Sequence, residues 1–224
     1  MPPSAGASAH RFAEGLDLFR DGRREEAVAY FAQAAGTAPD DPEVHYLHGL
    51  LLFKLARYGE AAVPLRRSAD LHPGEDCLIK LAMAQGQTGD MAAGLATLEE
   101  AARRLPDSPE VRAYLGTTLR TLGRVEEALA AYTAALDRDP DHVPALWGMG
   151  LALGMRERYA EGKAALRRAI AIAPSFPPPH FHLGVLAWVS GERDETRRQQ
   201  ALLRELAPSY ADHLGRVMAD ERNS

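Results

Sequence analysis

Few residues of the 224-residue chain stand where chemistry would need them. His45 and His48 lie three apart in a stretch that reads as helix, a spacing that could bring two imidazoles to one divalent metal. Both also fall at positions such a helix would bury, which favours hydrogen-bonded structural histidines. His180 and His182 are two apart and point away from each other on a helix. Cys77, the single cysteine, lies near a helix start, where a thiol can be activated. One thiol closes no internal disulfide and builds no cysteine-based zinc site. Glu43, Asp76 and Glu110 recur near helix starts, where the helix dipole stabilises a carboxylate by about 0.3–1 kcal/mol. They read as helix-start charges rather than an acid site. Arg66-Arg67 and Arg167-Arg168 recur at matching places and read as a solvated outer face. The sequence holds no phosphate-binding glycine loop, nucleophile elbow or metal-ligand cluster. The expectation is a protein that is not an enzyme and uses neither metal nor cofactor.

Composition narrows the partners. Apolar residues make up 46% and charged residues 25% of the chain, as in soluble globular proteins. A net charge of −5 argues against binding nucleic acid or anionic membrane through bulk charge. No apolar run approaches the roughly 20 residues of a membrane span; the longest candidate, around Leu47 to Leu55, is broken by His48, Gly49 and Lys54. The opening residues lack a basic region followed by an apolar stretch, so a cytoplasmic protein is expected. Arginine outnumbers lysine 23 to 3, a bias of GC-rich bacterial genomes, and Asn223 is the only asparagine.

The elements that must position any site repeat. Pro39, Pro73, Pro106, Pro140, Pro174 and Pro208 are spaced by 34, 33, 34, 34 and 34 residues. A small-residue column, Gly15, Gly49, Ala82, Gly116, Gly150 and Gly184, keeps the same period. So does a second one, Ala27, Ala61, Gly94, Ala128, Gly162 and Thr196, and so does a bulky one, Phe31, Leu65, Leu98, Tyr132, Leu166 and Gln200. Within the fourth unit, Val111, Leu115, Leu119 and Leu122 follow helical spacing, Gly123-Arg124 breaks it, and Val125, Ala128, Leu129, Tyr132 and Leu136 resume it. Each unit is therefore a helix–turn–helix hairpin, with a mostly glycine turn column at Gly22, Ala56, Gly89, Gly123, Glu157 and Gly191. Small residues let helix backbones approach, and stacked hairpins bury their faces on their neighbours.

A 34-residue hairpin carrying Leu115-Gly116, Ala128, Tyr132, Ala135 and Pro140 resembles the tetratricopeptide repeat. The resemblance implies an all-α protein, an α-solenoid of stacked helix–turn–helix repeats forming a right-handed superhelix. It places six units at residues 8–41, 42–74, 75–108, 109–142, 143–176 and 177–208, after a flexible N-terminal tail over 1–7. Residues 209–224 would form a capping helix and C-terminal tail, opened by a Ser209-x-x-Asp212 capping box. Pro64 predicts a kink or loosened turn in its helix. The sixth unit, with Thr196 and Gln200 in packing columns, reads as terminal.

The resemblance also implies a concave groove lined by first helices. By register it holds Phe12, Leu16, Phe19, Tyr46, Leu50, Phe53, Ile79, Met83, Tyr114, Thr117, Arg120, Trp147, Leu151, Phe181, Val185 and Trp188. With one asparagine and three lysines, neither the asparagine ladder nor the basic carboxylate clamp of better-known relatives can be built. The groove is apolar, broken by Thr117 and Arg120. The function expected is a protein–protein interaction scaffold that holds a peptide or amphipathic helix of another protein in that groove, without nucleic acid or membrane insertion. A chaperone for a hydrophobic secretion- or pilus-type substrate and a scaffold that self-assembles through groove–terminus contacts are the alternatives.

Overall fold

Three of the first helices begin with a side-chain cap and a proline. Asp41 accepts from the Glu43 amide at 3.0 Å ahead of Pro42, and Ser108 accepts from the Val111 amide at 3.0 Å ahead of Pro109. His142 caps in the same way through Nδ1, which accepts from the Ala145 amide at 3.2 Å. Several second helices start differently. Arg23, Arg57, Arg124 and Arg158 precede them, and each guanidinium reaches forward to the carboxylate three residues on, Glu26, Glu60, Glu127 or Glu161. Those exposed pairs hold the four carboxyls below the usual range. Between the helices the chain reverses through a left-handed residue, as at Gly123 (φ 76°). Ala56 and Glu157 adopt the same conformation (φ 58° and 60°) with a Cβ, at a cost of about 1–2 kcal/mol each.

The computed structural model describes residues 12–220, so the expected tail over 1–7 lies outside the described residues. The chain divides after Pro106 into two compact units. The first contains α1 (Ala13–Arg20), α2 (Arg24–Thr37), α3 (Pro42–Lys54), α4 (Tyr58–Leu71), α5 (Glu75–Gln87) and α6 (Met91–Arg104). The second contains α7 (Pro109–Thr121), α8 (Val125–Leu136), α9 (Val143–Met155), α10 (Tyr159–Ile172), α11 (Pro177–Val189), α12 (Arg193–Leu206) and α13 (Pro208–Asp220). Each unit is an all-α stack of three hairpins, with α13 added to the second, in which every helix packs on the next in sequence, and among the described residues there is no strand. First helices also pack on first helices, α3 on α5 in one unit, and α7 on α9 and α9 on α11 in the other.

The columns are close contacts. A Cβ on Gly49 would lie 2.6 Å from Leu65, one on Gly116 would lie 2.7 Å from the Tyr132 ring, and one on Gly150 would lie 2.6 Å from Leu166. In the sixth hairpin the partner changes: a Cβ on Gly184 would lie 2.6 Å from Leu214 of α13, and Gln200 is not among its nearest neighbours. The added helix thus supplies the bulky side chain that its own second helix lacks. Leu214 joins Phe181, Leu203 and Ala211 in one buried cluster.

One local expectation changes and two gain detail. Helix α13 starts at Pro208, so Ser209 is inside it and is not the cap; proline's fixed φ suits the first helical position. Helix α4 runs on through a buried Pro64 from Tyr58 to Leu71. The acceptor that proline leaves over, the Glu60 carbonyl, belongs to an exposed residue and can turn to water. The arginine pairs lie largely exposed, as expected, and also tie hairpins together. Arg66 reaches Glu100 at 3.1 Å and Thr97 at 2.9 Å, Arg67 reaches the Pro39 carbonyl and Asp40, and Arg168 reaches the Pro140 carbonyl at 2.8 Å.

Replacing Gly116 by leucine drives a side chain into the Tyr132 ring. The expected cost is about 1–3 kcal/mol, read as a fall in the melting temperature.

Candidate functional site

In the second unit, α7 and α9 lie side by side and enclose a pocket of about 270 Å³. Helix α7 contributes Glu110, Ala113, Tyr114, Thr117 and Arg120. Helix α9 contributes Pro144, Trp147, Gly148 and Leu151, and Phe176 closes one side. Tyr114, Thr117, Arg120, Trp147 and Leu151, five of the residues expected in the groove, thus meet at one place.

Packing fixes the apolar wall. The Trp147 ring meets Phe176 edge-on at 5.8 Å and His182 tilted at 5.7 Å, contacts worth about 0.5–1.5 kcal/mol each beyond area for aromatic pairs. Its indole N–H donates to His182 Nδ1 at 3.1 Å, while the Pro178 carbonyl lies 2.8 Å from the same nitrogen. One ring nitrogen either accepts from Trp147 or donates to Pro178, so the two bonds exclude each other. Burial pushes the His182 imidazole down, with the nearby Arg120 charge adding to it and the Pro178 carbonyl opposing.

The polar wall is largely committed. Thr117 donates to the Ala113 carbonyl at 3.0 Å, so the bond between its oxygen and the Tyr132 hydroxyl, 3.1 Å, is donated by Tyr132. That hydroxyl belongs to a fully buried ring. Thr117 stays exposed on the pocket wall, and its hydroxyl also serves the buried ring behind it. Glu110 receives His142 Nε2 at 2.7 Å. Arg120 differs: no ion pair or hydrogen bond holds its side chain among the described residues, and its Nε is buried without a partner.

The other expected groove residues divide. Leu16, Phe19, Tyr46, Leu50, Phe53 and Met83 are half-buried in the first unit, and Tyr46 hydrogen-bonds Asp76. Phe12, Ile79, Phe181 and Trp188 are buried and are core rather than open surface. Phe12 packs on Phe31 at 5.9 Å, and Ile79 is enclosed where α5 lies between α4 and α6. Phe181 is covered by α13, with Tyr210 at 5.7 Å and His213 at 4.9 Å, and Val185 packs against the same cluster. Trp188 carries the Arg193 guanidinium 3.4 Å above its ring.

Glu110, Pro144, Gly148 and Phe176 were not expected in the site. Phe176 had a visible signal: it occupies the cap column where Asp41, Ser108 and His142 stand, and it caps nothing. Gly148 is explained by contact, since a Cβ there would lie 2.4 Å from the Tyr132 ring.

A second hollow of about 420 Å³, in the first unit, is lined by Glu43, Tyr46, His72, Asp76 and Cys77, among others. Burial pushes the Cys77 thiol up, away from the reactive thiolate, and Sγ donates to the Leu65 carbonyl at 3.2 Å. His45 is bonded to the Pro39 carbonyl at 2.9 Å, and His180 to Gln199 and the Pro174 carbonyl. Among the described residues no three His, Cys, Asp or Glu side chains gather as metal ligands.

Thr117→Val leaves the Tyr132 hydroxyl buried and unpaired, an expected loss of about 1–3 kcal/mol in urea unfolding, and adding Tyr132→Phe recovers most of it. His182 titrates lower in the folded protein than in the unfolded chain, so the unfolded state takes up the proton first as pH falls. Its contribution is present above the unfolded value and is lost below it. Between about pH 7.5 and 5.5 the stability of His182→Gln should therefore fall less than that of the parent.

Known proteins share this architecture. The family model described as tetratricopeptide repeat matches residues 12–76, 79–143 and 115–177. The chain is 29% identical over 100 residues to Protein CTR9 homolog of Arabidopsis thaliana, covering 44% of this chain and 9% of that protein. It is 23% identical over 165 residues to Protein O-mannosyl-transferase TMTC1 of Homo sapiens, covering 71% of this chain and 19% of that one. The chain thus spans less than a fifth of the length of these curated relatives. Among solved structures, YrrB, described as a tetratricopeptide repeat protein with an unusual peptide-binding site, superposes with a TM-score of 0.59 at 21% identity. That match covers 74% of this chain and 86% of YrrB and shows the shared fold. The periodic hairpins, their small-residue crossings and the family match over most of the sequence agree: the chain belongs to the tetratricopeptide repeat family.

Proposed function

We propose that the protein is a non-enzymatic scaffold that holds an apolar or amphipathic segment of a partner protein against its first-helix face, with the pocket between α7 and α9 as the anchor point. The repeat fold itself supports an interaction role. The observation that carries the finer reading is the pocket wall: Tyr114, Trp147, Leu151 and Phe176 stay part-exposed around about 270 Å³, a volume suited to a side chain of leucine or phenylalanine size. Burying such a side chain contributes about 1.5–3 kcal/mol, enough to make it a principal contact. Trp147 and Phe176 brace one another, so little ordering cost is left for binding. The peptide-binding site named for YrrB belongs to that protein and supports this reading by analogy of fold.

Leu151→Arg places a charge in the pocket wall. Proteins captured by the parent and identified by mass spectrometry should be lost from this variant while its melting temperature stays within a few degrees. Capture of the same proteins by both forms rejects the pocket as the anchor.

A further inference from the structure

Arg120 sets the chemistry of the occupant. The other charged side chain on the pocket wall, Glu110, is engaged by His142 at 2.7 Å, and Thr117 is committed to Ala113 and Tyr132. Arg120 lines the same pocket with its Nε buried and unpartnered and no carboxylate within ion-pair distance among the described residues. A guanidinium carries five donors and keeps its charge at any physiological pH. The two Nη nitrogens of Arg120 carry no hydrogen bond among the described residues and are not among the buried unpaired atoms, so they are the donors an incoming anion can reach.

We infer that the occupant carries a carboxylate beside its apolar anchor: a partner segment in which aspartate or glutamate stands within about one helical turn of leucine, isoleucine, methionine or phenylalanine. This rests on the pocket being the anchor of a partner segment, and adds what that segment must contain. The apolar side chain enters between Trp147, Leu151 and Phe176, and the carboxylate pairs with Arg120. The net charge of −5 does not oppose this, because charges beyond about 8 Å are screened at physiological salt, whereas a contact pair in a half-buried site is not. A basic–apolar segment would instead set a second cation against Arg120.

The test is selection of a phage-displayed random dodecapeptide library on the full chain and on Arg120→Gln, Arg120→Lys and Leu151→Arg, each first checked for an unchanged melting curve. On the parent, selected peptides should share an acidic residue within a turn of a bulky apolar one. A synthetic copy in which the acid is replaced by its amide should bind about tenfold more weakly. On Arg120→Gln the acidic preference should vanish while the apolar one remains, and Arg120→Lys should restore part of it. Apolar peptides without acidic preference, or the same acidic preference on Arg120→Gln, overturn the carboxylate inference and leave the anchor reading intact. Selection unaffected by Leu151→Arg, or no selection at all, overturns both. Concentration-dependent dimerisation abolished by Arg120→Gln would assign the pocket to a second copy of this chain and overturn a foreign partner.

Discussion

Helices cross at these distances only where the backbone of one meets a side chain of the other with no Cβ between them. At Gly49, Gly116 and Gly150 the first helix is bare at the crossing and the second fills the gap with Leu65, Tyr132 or Leu166. Everything else in each unit follows from that approach. It fixes the separation of the two helices in a hairpin, which sets how a left-handed residue must turn the chain between them. The turn is demanding enough that Ala56 and Glu157 adopt it despite their side chains. The third hairpin meets the same constraint from the opposite side: Ala82 stands on the first helix, and Gly94 on the second meets the Ala82 carbonyl, where a Cβ would lie 2.9 Å away. Contact is conserved along the repeats even where the residue that permits it moves from one helix to the other.

Ties between hairpins are more varied than the crossings within them. Arg66 and Arg67 tie α4 to its neighbours on both sides, while in the second unit the buried Lys163 is held by Ser190 and Glu192 of the next hairpin. Burying that ammonium is tolerable because both partners approach it, and removing Glu192 would leave it without a counter-charge. The crossings therefore give the common fold, and the ties let each hairpin pair carry its own chemistry. The pocket between α7 and α9 lies at such a pair, and the hollow in the first unit is lined by other residues, Tyr46, His72, Asp76 and Cys77 among them.

Fold was legible in the sequence because its determinants are periodic. Proline, glycine and bulky columns at a 34-residue spacing identify hairpins before any contact is known. The site was legible in part, for a physical reason. Register says which residues face the first-helix side, and Tyr114, Arg120, Trp147 and Leu151, expected on that side, line one pocket. Register does not say what covers that side. Phe181 and Val185 hold groove positions and lie against α13, because Gln200 leaves Gly184 without a bulky partner and Leu214 comes from outside the repeat to provide one. Thr117 and Arg120 sit one turn apart in the same helix and have opposite fates. The threonine oxygen is reached by a hydroxyl rising from the core, and the arginine by nothing among the described residues. Such differences depend on three-dimensional neighbours that no single column reports. Phe176 carried a sequence signal that register passed over, an aromatic in a column of capping residues.

Tyr132 has one further consequence. Its ring is wedged against Gly116 of α7 and Gly148 of α9 at once, so close that a Cβ on either would overlap it. Those are the two helices that form the pocket walls, and the tyrosine stands behind both. It acts as a spacer gauge: the thickness of one buried phenol ring sets the width of a cleft that it does not itself line. On the proposed reading of the pocket as an anchor site, resizing position 132 would change the fit of a guest from the rear, without replacing any residue that lines the pocket.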